Sequence, residues 1–193
     1  AYDPRFDELA FPVLARDLSQ PPDDQADFVL PDGVYLSTAA GLVRVHTFRD
    51  EITAAISGDF DGDGSPDLAI PSPAAPGLRI LFNNGLLTPL DVPLEATPRA
   101  LRVGDFDGHG PDDVALLEPL AADQDRLTIV LGVAAGTPAA TSFGTLPRVA
   151  HLETADLQVV SSVMADGATD LLLLTAAAED RPELGSWILG SPS

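Results

Sequence analysis

Short apolar runs alternate along the chain with loops rich in glycine, proline and acidic residues. The runs carry β-branched and aromatic side chains, which is typical of β-strands and not of helices. Eighteen prolines and sixteen glycines would also interrupt long helices repeatedly. The pattern predicts an all-β chain, with strands at 42–48, 77–82, 127–131 and 186–189 and with strands entering acidic loops at 54–56 and 100–103.

Two stretches of the chain repeat each other without a gap. Residues 58–70 read GDFDGDGSPDLAI and residues 104–116 read GDFDGHGPDDVAL, so that Asp59 and Asp105 lie 46 residues apart. Weaker copies consist of one aspartate followed by an apolar run. We call the aspartate directly before the apolar run of each copy its anchor aspartate. The four anchor aspartates are Asp27, Asp67, Asp113 and Asp170.

The repeat predicts the architecture of the whole chain. Each unit is expected to run strand, acidic loop, strand, loop, strand and short outer strand, at a spacing of roughly 40–57 residues that suits propeller blades. In the first unit, residues 42–48 are taken as the equivalent of residues 77–82. We expect one domain over 1–193 with units near 8–50, 51–97, 98–147 and 148–193, as a small propeller, a partial propeller or a fragment of a larger one. An ordinary β-sandwich stays open, but it gives no reason for a recurring acidic loop.

The first acidic loop has the spacing of a calcium site. Asp59, Asp61, Asp63 and Asp67 occupy positions 1, 3, 5 and 9 of a tight turn, and the carbonyl of Ser65 stands at position 7. Calcium prefers six to eight hard oxygen ligands, and glycine allows the positive φ that such a turn needs. Four carboxylates this close would repel one another without a cation. The loop therefore predicts a bound calcium ion.

An EF-hand is the nearest competing calcium loop. It needs a bidentate glutamate at position 12 and a helix on each side. Position 12 is Ile70 in the first loop and Leu116 in the second, each inside an apolar, strand-like run. The sequence therefore argues against an EF-hand.

The second acidic loop keeps the same pattern with one change. Asp105, Asp107 and Asp113 stand at positions 1, 3 and 9, but position 5 is His109 and position 7 is Pro111. Imidazole is a poor calcium ligand, so water would replace it or the affinity would fall. We predict one or two calcium ions in all, with His109 and Pro111 included in the second candidate site.

The two weak copies lack this ligand pattern. Position 5 keeps an aspartate in each, but positions 1 and 3 hold other residue types, and both loops are expected to be free of metal. The residues at positions 1, 3, 5 and 9 are Ser19, Pro21, Asp23 and Asp27 in the first unit, and Ser162, Met164, Asp166 and Asp170 in the fourth.

Composition narrows the possible partners. Thirty acidic residues against ten Lys and Arg give a net charge of −20, which would repel a nucleic-acid backbone and attract divalent cations. The apolar run 171–178 is far shorter than the roughly 20 residues that span a bilayer, so no membrane insertion is expected. The chain has no cysteine and hence no disulfide framework.

The two strong copies resemble FG-GAP repeats, also called VCBS-type repeats, as in the calcium-bearing blades of integrin α-subunit propellers. The resemblance implies that calcium sits in a loop between blade strands and stabilises a propeller. It also implies that Phe60 and Phe106 are the packed aromatic residues of that family. Integrin-type rings have seven blades, whereas four units close only the smallest propeller, so another chain or a second copy of this one would complete a larger ring. The ligands implied are Asp59, Asp61, Asp63, Ser65 and Asp67, then Asp105, Asp107, Pro111 and Asp113.

These features predict a non-catalytic, calcium-stabilised binding or adhesion module that contacts a protein or glycan through its blade loops. Such weak calcium sites would be empty in cytosol, which favours a secreted or cell-surface location, with the periplasm as a further option. A lectin is one alternative, with Trp187, Tyr35 and Tyr2 as the aromatic platforms. A domain of a secreted polysaccharide-acting enzyme is another. No catalytic residues are predicted, and residues 123–125 and 151–153 are expected to be solvated loops.

Overall fold

The structure, a computed structural model, describes residues 14–72, 75–121, 123–132, 139–147, 149–155, 170–175 and 186–189. The regular elements within these ranges are all β-strands, so the prediction of an all-β chain is confirmed for them. None of the described residues forms a helix that is long and apolar enough to cross a membrane. The strands are β1 (Leu14–Arg16), β2 (Asp27–Leu30), β3 (Gly33–Thr38), β4 (Gly41–Thr47), β5 (Ile56–Gly58), β6 (Asp67–Pro71), β7 (Gly77–Phe82), β8 (Thr88–Pro93), β9 (Ala100–Gly104), β10 (Asp113–Ala121), β11 (Gln124–Leu131), β12 (Ala139–Pro147), β13 (Val149–Ala155), β14 (Asp170–Thr175) and β15 (Ser186–Leu189).

The strands form four antiparallel sheets, each made of strands that follow one another along the chain. Sheet 1 is β1-β2-β3-β4, sheet 2 is β5-β6-β7-β8, sheet 3 is β9-β10-β11-β12, and sheet 4 is β13-β14-β15 among the described residues. Each sheet falls inside one of the four unit ranges expected from the repeat. Strands that are consecutive along the chain are therefore neighbours in each sheet.

The four anchor aspartates occupy one topological position. Each is the first residue of the second strand in its sheet, and each pairs with the last residue of the strand before it. The register pairs are Asp27 with Arg16, Asp67 with Gly58, Asp113 with Gly104 and Asp170 with Ala155. The weak sequence copies in the first and fourth units thus carry the same strand register as the strong ones.

One expected equivalence is wrong. The third strand of sheet 1, which pairs with β2 as β7 pairs with β6, is β3 (Gly33–Thr38). Residues 42–48, predicted to be that third strand, instead form most of β4, the outer strand that corresponds to β8. The physical reason is the turn at Pro31 and Asp32, which joins β2 to β3 after only two residues, whereas five residues separate the corresponding strands β6 and β7 of sheet 2.

Sheet 2 is buried on both faces. Successive residues of β6 point to opposite sides and pack into two different cores. Leu68 and Ile70 are fully buried in a core shared with Val29 and Val34 of sheet 1. Ala69, between them, belongs to a second core shared with sheet 3. This alternation of period two is what a strand between two packed sheets requires.

Sheet 3 continues the same arrangement. Val114 and Leu116 of β10 pack toward sheet 2, while Ala115 and Leu117 belong to a third core that includes Val149 and Leu152 of sheet 4. The aromatic residues of the two acidic loops are buried in these cores, Phe60 in the second and Phe106 in the third. Their predicted role in core packing is confirmed.

Candidate metal centre

The first candidate site lies in the loop from Asp59 to Ser65, which leads from β5 to Asp67 at the start of β6. Two glycines allow the chain to turn sharply, because Gly62 and Gly64 have φ angles of 73° and 85°, a region that side-chain-bearing residues rarely adopt. The turn brings Asp59, Asp61 and Asp67 together. Each offers one carboxylate oxygen, and these oxygens all lie within 4.8 Å of one another.

Backbone N–H groups hold the carboxylate of Asp59 in place. Asp63 donates its N–H to Oδ1 of Asp59 at 3.1 Å, and Gly64 donates to Oδ2 at 2.9 Å. The same N–H of Asp63 also reaches Oδ1 of Asp61 at 3.2 Å. The turn is therefore built around its first two carboxylates.

Asp67 is the buried member of the group, with 1% of its surface exposed. Its Oδ2 accepts the N–H of Phe60 at 2.9 Å, and its Oδ1 accepts the N–H of Asn83, beyond the end of β7, at 2.7 Å. Burial raises the pKa of Asp67 to about 6, with a further contribution from Asp61 and Asp63, and the two backbone donors oppose that rise. A cation beside Asp67 would offset both causes of the rise.

Asp63 and Ser65 were also predicted as ligands, Asp63 through its carboxylate and Ser65 through its backbone carbonyl. The carboxylate of Asp63 does not belong to the close group. Its Oδ1 accepts the N–H of Ser65 at 2.7 Å. Burial is also the main cause that raises the pKa of Asp61, with the charges of Asp63 and Asp59 adding to it. The negative charge of Asp63 therefore acts on the group from outside it.

The second candidate site repeats the backbone hydrogen bonds to the three gathered carboxylates of the first. Asp105 accepts N–H groups from His109 and Gly110, both at 3.1 Å, and Asp113 accepts the N–H of Phe106 at 2.8 Å. Gly108 and Gly110 have φ angles of 72° and 103°. The residues gathered, each again offering one oxygen within 4.8 Å of the others, are Asp105, Asp107 and Asp113.

Asp113 has the same environment as Asp67. It is fully buried, and its Oδ1 accepts the N–H of Gly132, just beyond the end of β11, at 2.8 Å. Burial raises its pKa to about 6, and the charges of Asp107 and Asp105 contribute to the rise. Both loops thus combine one buried and two half-buried carboxylates.

His109 lies beside the second group and not within it. Its side chain is 79% exposed, and its Nδ1 is 3.1 Å from Oδ1 of Asp107. The backbone N–H of His109 takes the place that the N–H of Asp63 has in the first loop. The imidazole therefore stands at the solvent side of the carboxylates. Pro111 follows the turn, and its side chain lies close to Gly132.

The loop of the first unit, a weak copy, has hydrogen bonds that differ from those of the two strong copies. In the first unit, Asp27 accepts N–H groups from Leu18 and Ser37, both at 2.7 Å, and the hydroxyl of Ser19 at 3.2 Å. The N–H groups of Asp23 and Asp24 donate to the carboxylate of Asp17, a residue that lies before the predicted loop positions. In the fourth unit, the predicted positions Ser162, Met164 and Asp166 lie outside the described residues.

The expectation of solvated loops holds for Asp123, an exposed turn residue, and is wrong for Asp125 and His151. Asp125 is fully buried in β11, where it binds Arg99 and accepts the N–H of Val149 at 2.8 Å. His151 belongs to strand β13. Long-range pairing determines both positions, and the local run of charged residues gave no sign of it.

The chemistry available at each loop is that of a hard cation site. Three carboxylates supply oxygen ligands of the kind calcium prefers, and carbonyl or water oxygens would complete its shell of six to eight ligands. The residues fit that ion better than a transition metal, because no sulfur or imidazole joins either group. Comparisons with protein families, with curated proteins and with solved structures found no match to this chain.

Proposed function

We propose that this chain is a non-catalytic binding module stabilised by calcium, whose four sheets are blades of an FG-GAP-type β-propeller. One observation carries the proposal: two loops, one at the same place in each of two successive sheets, gather three carboxylates through the same set of backbone hydrogen bonds. A single acidic cluster is common on protein surfaces. Two copies with equal hydrogen bonding, each including a buried aspartate, are better explained by a shared ligand.

The stacking of the sheets supports the propeller part of the proposal. Each sheet is a local antiparallel meander, and each packs its face on the next sheet in chain order through a separate apolar core. Propeller blades are arranged in this way around a central axis. A two-sheet sandwich would instead share one core between two sheets.

Calcium would have a structural role in such a module. Each loop links the first strand of its sheet to the second, and its buried aspartate also binds a backbone N–H beyond the third strand. An ion bound there would fix the relative positions of three strands. This argues for a secreted or cell-surface module, where calcium is abundant enough to fill weak sites of about 10⁻⁴–10⁻³ M.

A protein partner is favoured over a glycan by the exposed side chains. The large exposed apolar residues among the described ones are Leu42, Val43 and Val45 on β4, and Leu86, which is 85% exposed. Val45 and Leu86 line an open groove of about 230 Å³. Exposed apolar patches are typical of protein contacts, whereas sugars stack on aromatic rings.

The lectin alternative depends on three aromatic residues. Tyr35 is the one whose side chain the structure describes, and its hydroxyl donates a 2.8 Å hydrogen bond to Asp32. Tyr2 lies outside the described residues. A glycan array with and without calcium would decide this alternative, and calcium-dependent binding to a defined sugar would replace the protein-binding proposal.

Thermal unfolding tests the role of calcium. A ligand bound only by the folded state stabilises it by about 0.4–1.4 kcal/mol per site at about 1–10 times its Kd, the range that millimolar calcium gives for sites of about 10⁻⁴–10⁻³ M. We expect the Tm to rise reversibly when calcium replaces EDTA, and magnesium at the same ionic strength to have much less effect because it requires tighter octahedral geometry. An unchanged Tm between millimolar calcium and EDTA would contradict the proposal.

A further inference from the structure

The two acidic loops contact each other through Asp112 and Asp59. Asp59 donates its backbone N–H to Oδ2 of Asp112 at 2.9 Å, and Asp112 donates its own N–H to the carbonyl of Asp59 at 2.8 Å. These residues lie 53 positions apart and belong to different sheets. Asp112 therefore binds both the N–H and the carbonyl of the residue that begins the first loop.

Two glycines allow this close approach. A Cβ atom on Gly58 would lie 2.8 Å from Oδ2 of Asp112 and 2.6 Å from a methyl of Val103. A Cβ atom on Gly132 would lie 2.2 Å from the carbonyl oxygen of Asp112. All three distances are shorter than real Cβ atoms show, so both positions require glycine for the loops to meet.

Asp112 is not part of the carboxylate group of its own loop, although it precedes the buried Asp113. The corresponding residue of the first loop is Pro66, which has neither a carboxylate nor an N–H. A contact of this type therefore cannot be made by the first loop through that position. The side chain of Asp112 instead accepts a hydrogen bond from Asp59, in the loop of the neighbouring sheet.

We propose that Asp112 is a positioning residue for the cation site of the first loop, although its sequence belongs to the second. The inference rests on the function proposed above. Asp59 supplies the first carboxylate of that site, and its backbone is fixed on both sides by Asp112. Fixing the backbone of a ligand limits the positions its carboxylate can take, which lowers the entropy lost on binding the ion.

A calcium titration followed by ¹H–¹⁵N NMR can resolve the two loops separately. The amides of Gly62 and Gly64 report on the first loop, and those of Gly108 and Gly110 on the second. Asp112→Ala should weaken calcium binding at the first loop about tenfold, the lower end of the effect typical of residues that orient metal ligands. Binding at the second loop should change less than about twofold.

Two further variants separate positioning from simple attraction of the cation. Asp112→Asn keeps a hydrogen-bond acceptor but loses the charge, so it should retain an affinity close to that of the unmodified protein. Asp50→Ala removes the same charge at an exposed position and should change neither loop. If Asp112→Asn is as weak as Asp112→Ala, attraction explains the effect and the inference is wrong.

The remaining outcomes are also decisive. Equal weakening of both loops by Asp112→Ala, or unchanged binding at the first loop, would overturn the inference while leaving the proposed function in place. If neither loop of the unmodified protein responds to calcium, the proposed function fails and the inference fails with it. Should the spectrum show that Asp112→Ala does not fold, Asp112→Ser, which also loses the long acceptor, takes its place.

Discussion

Asp27 and Ser37 are joined by a 2.7 Å hydrogen bond, from the backbone N–H of Ser37 in β3 to Oδ1 of the buried carboxylate that begins β2. The other oxygen of Asp27 accepts the N–H of Leu18, beyond the end of β1, at 2.7 Å. One carboxylate, at the start of β2, thus accepts hydrogen bonds from a residue just after β1 and from a residue in β3. Asp67 and Asp113 make the equivalent pair of bonds in sheets 2 and 3.

Replacing Asp27 tests this structural role apart from any metal. Asp27→Ala would leave the N–H groups of Leu18 and Ser37 without their acceptor, and an unsatisfied buried donor costs about 1–3 kcal/mol. We expect the free energy of unfolding to fall by about 3 kcal/mol in urea denaturation, with calcium binding unchanged. Asp50→Ala, at an exposed position, is the matched control and should change stability by less than about 0.5 kcal/mol.

A loss of calcium binding in Asp27→Ala, with the protein still folded, would show that the first unit contributes to the metal sites. Equal stability of Asp27→Ala and the control would mean that the strands do not depend on this carboxylate.

The raised pKa values of Asp67 and Asp113 predict how stability depends on pH without calcium. Both values are about 6, above the 3.8 typical of an unpaired aspartate, so the folded state holds more protons than the unfolded state between these values. Their contribution to stability is complete below pH 3.8 and is lost as pH rises through 6. In EDTA, we therefore expect a higher Tm at pH 5 than at pH 7.

Each pKa unit corresponds to about 1.4 kcal/mol, and the Tm of a chain of this size moves about 2–4 °C per kcal/mol. The rise should thus be several degrees, and Asp67→Asn should reduce it. Saturating calcium should weaken or reverse the trend, because a bound ion keeps the carboxylates ionised. A Tm in EDTA that is lower at pH 5 than at pH 7 would contradict the assigned pKa values.

A partly buried ion pair connects sheets 3 and 4. Asp125 is fully buried beside Arg99, whose guanidinium also donates to the carbonyl of Val149 in sheet 4. Asp125→Ala would remove the partner of Arg99 and leave the buried N–H of Val149 without its acceptor, and an unsatisfied buried donor costs about 1–3 kcal/mol. Asp125→Ala should therefore unfold at a much lower urea concentration than Asp91→Ala, which breaks the more exposed pair between Asp91 and Arg79. Similar midpoints for the two variants would argue against a joining role for Asp125.

Much of the fold follows from local sequence pattern. Strands β7 and β15 have the predicted bounds, and the four anchor aspartates begin equivalent strands because the same loop and strand pattern recurs. The first unit was misaligned because β3 and β4 each contain three apolar residues, so local composition does not distinguish the third strand from the outer one. Apolar character normally marks a buried strand, but β4 is an outer strand whose apolar residues are exposed.

Spacing within nine residues was enough to predict the carboxylates that the two loops bring together. It did not predict their partners, because those come from distant parts of the chain. Asn83 and Gly132 donate to the buried aspartates across 16 and 19 residues, and Asp112 reaches Asp59 across 53. The extra acid at position 8 of the second loop was the one available signal for Asp112, and its role depends on how the sheets stack.

Isothermal titration calorimetry with calcium tests the central claim most directly, since it counts the sites. The unmodified protein should bind two calcium ions, Asp61→Ala and Asp107→Ala should each bind one, and the double variant should bind none while remaining folded. Absence of binding by the unmodified protein in millimolar calcium, or equal binding by the double variant, would contradict the account.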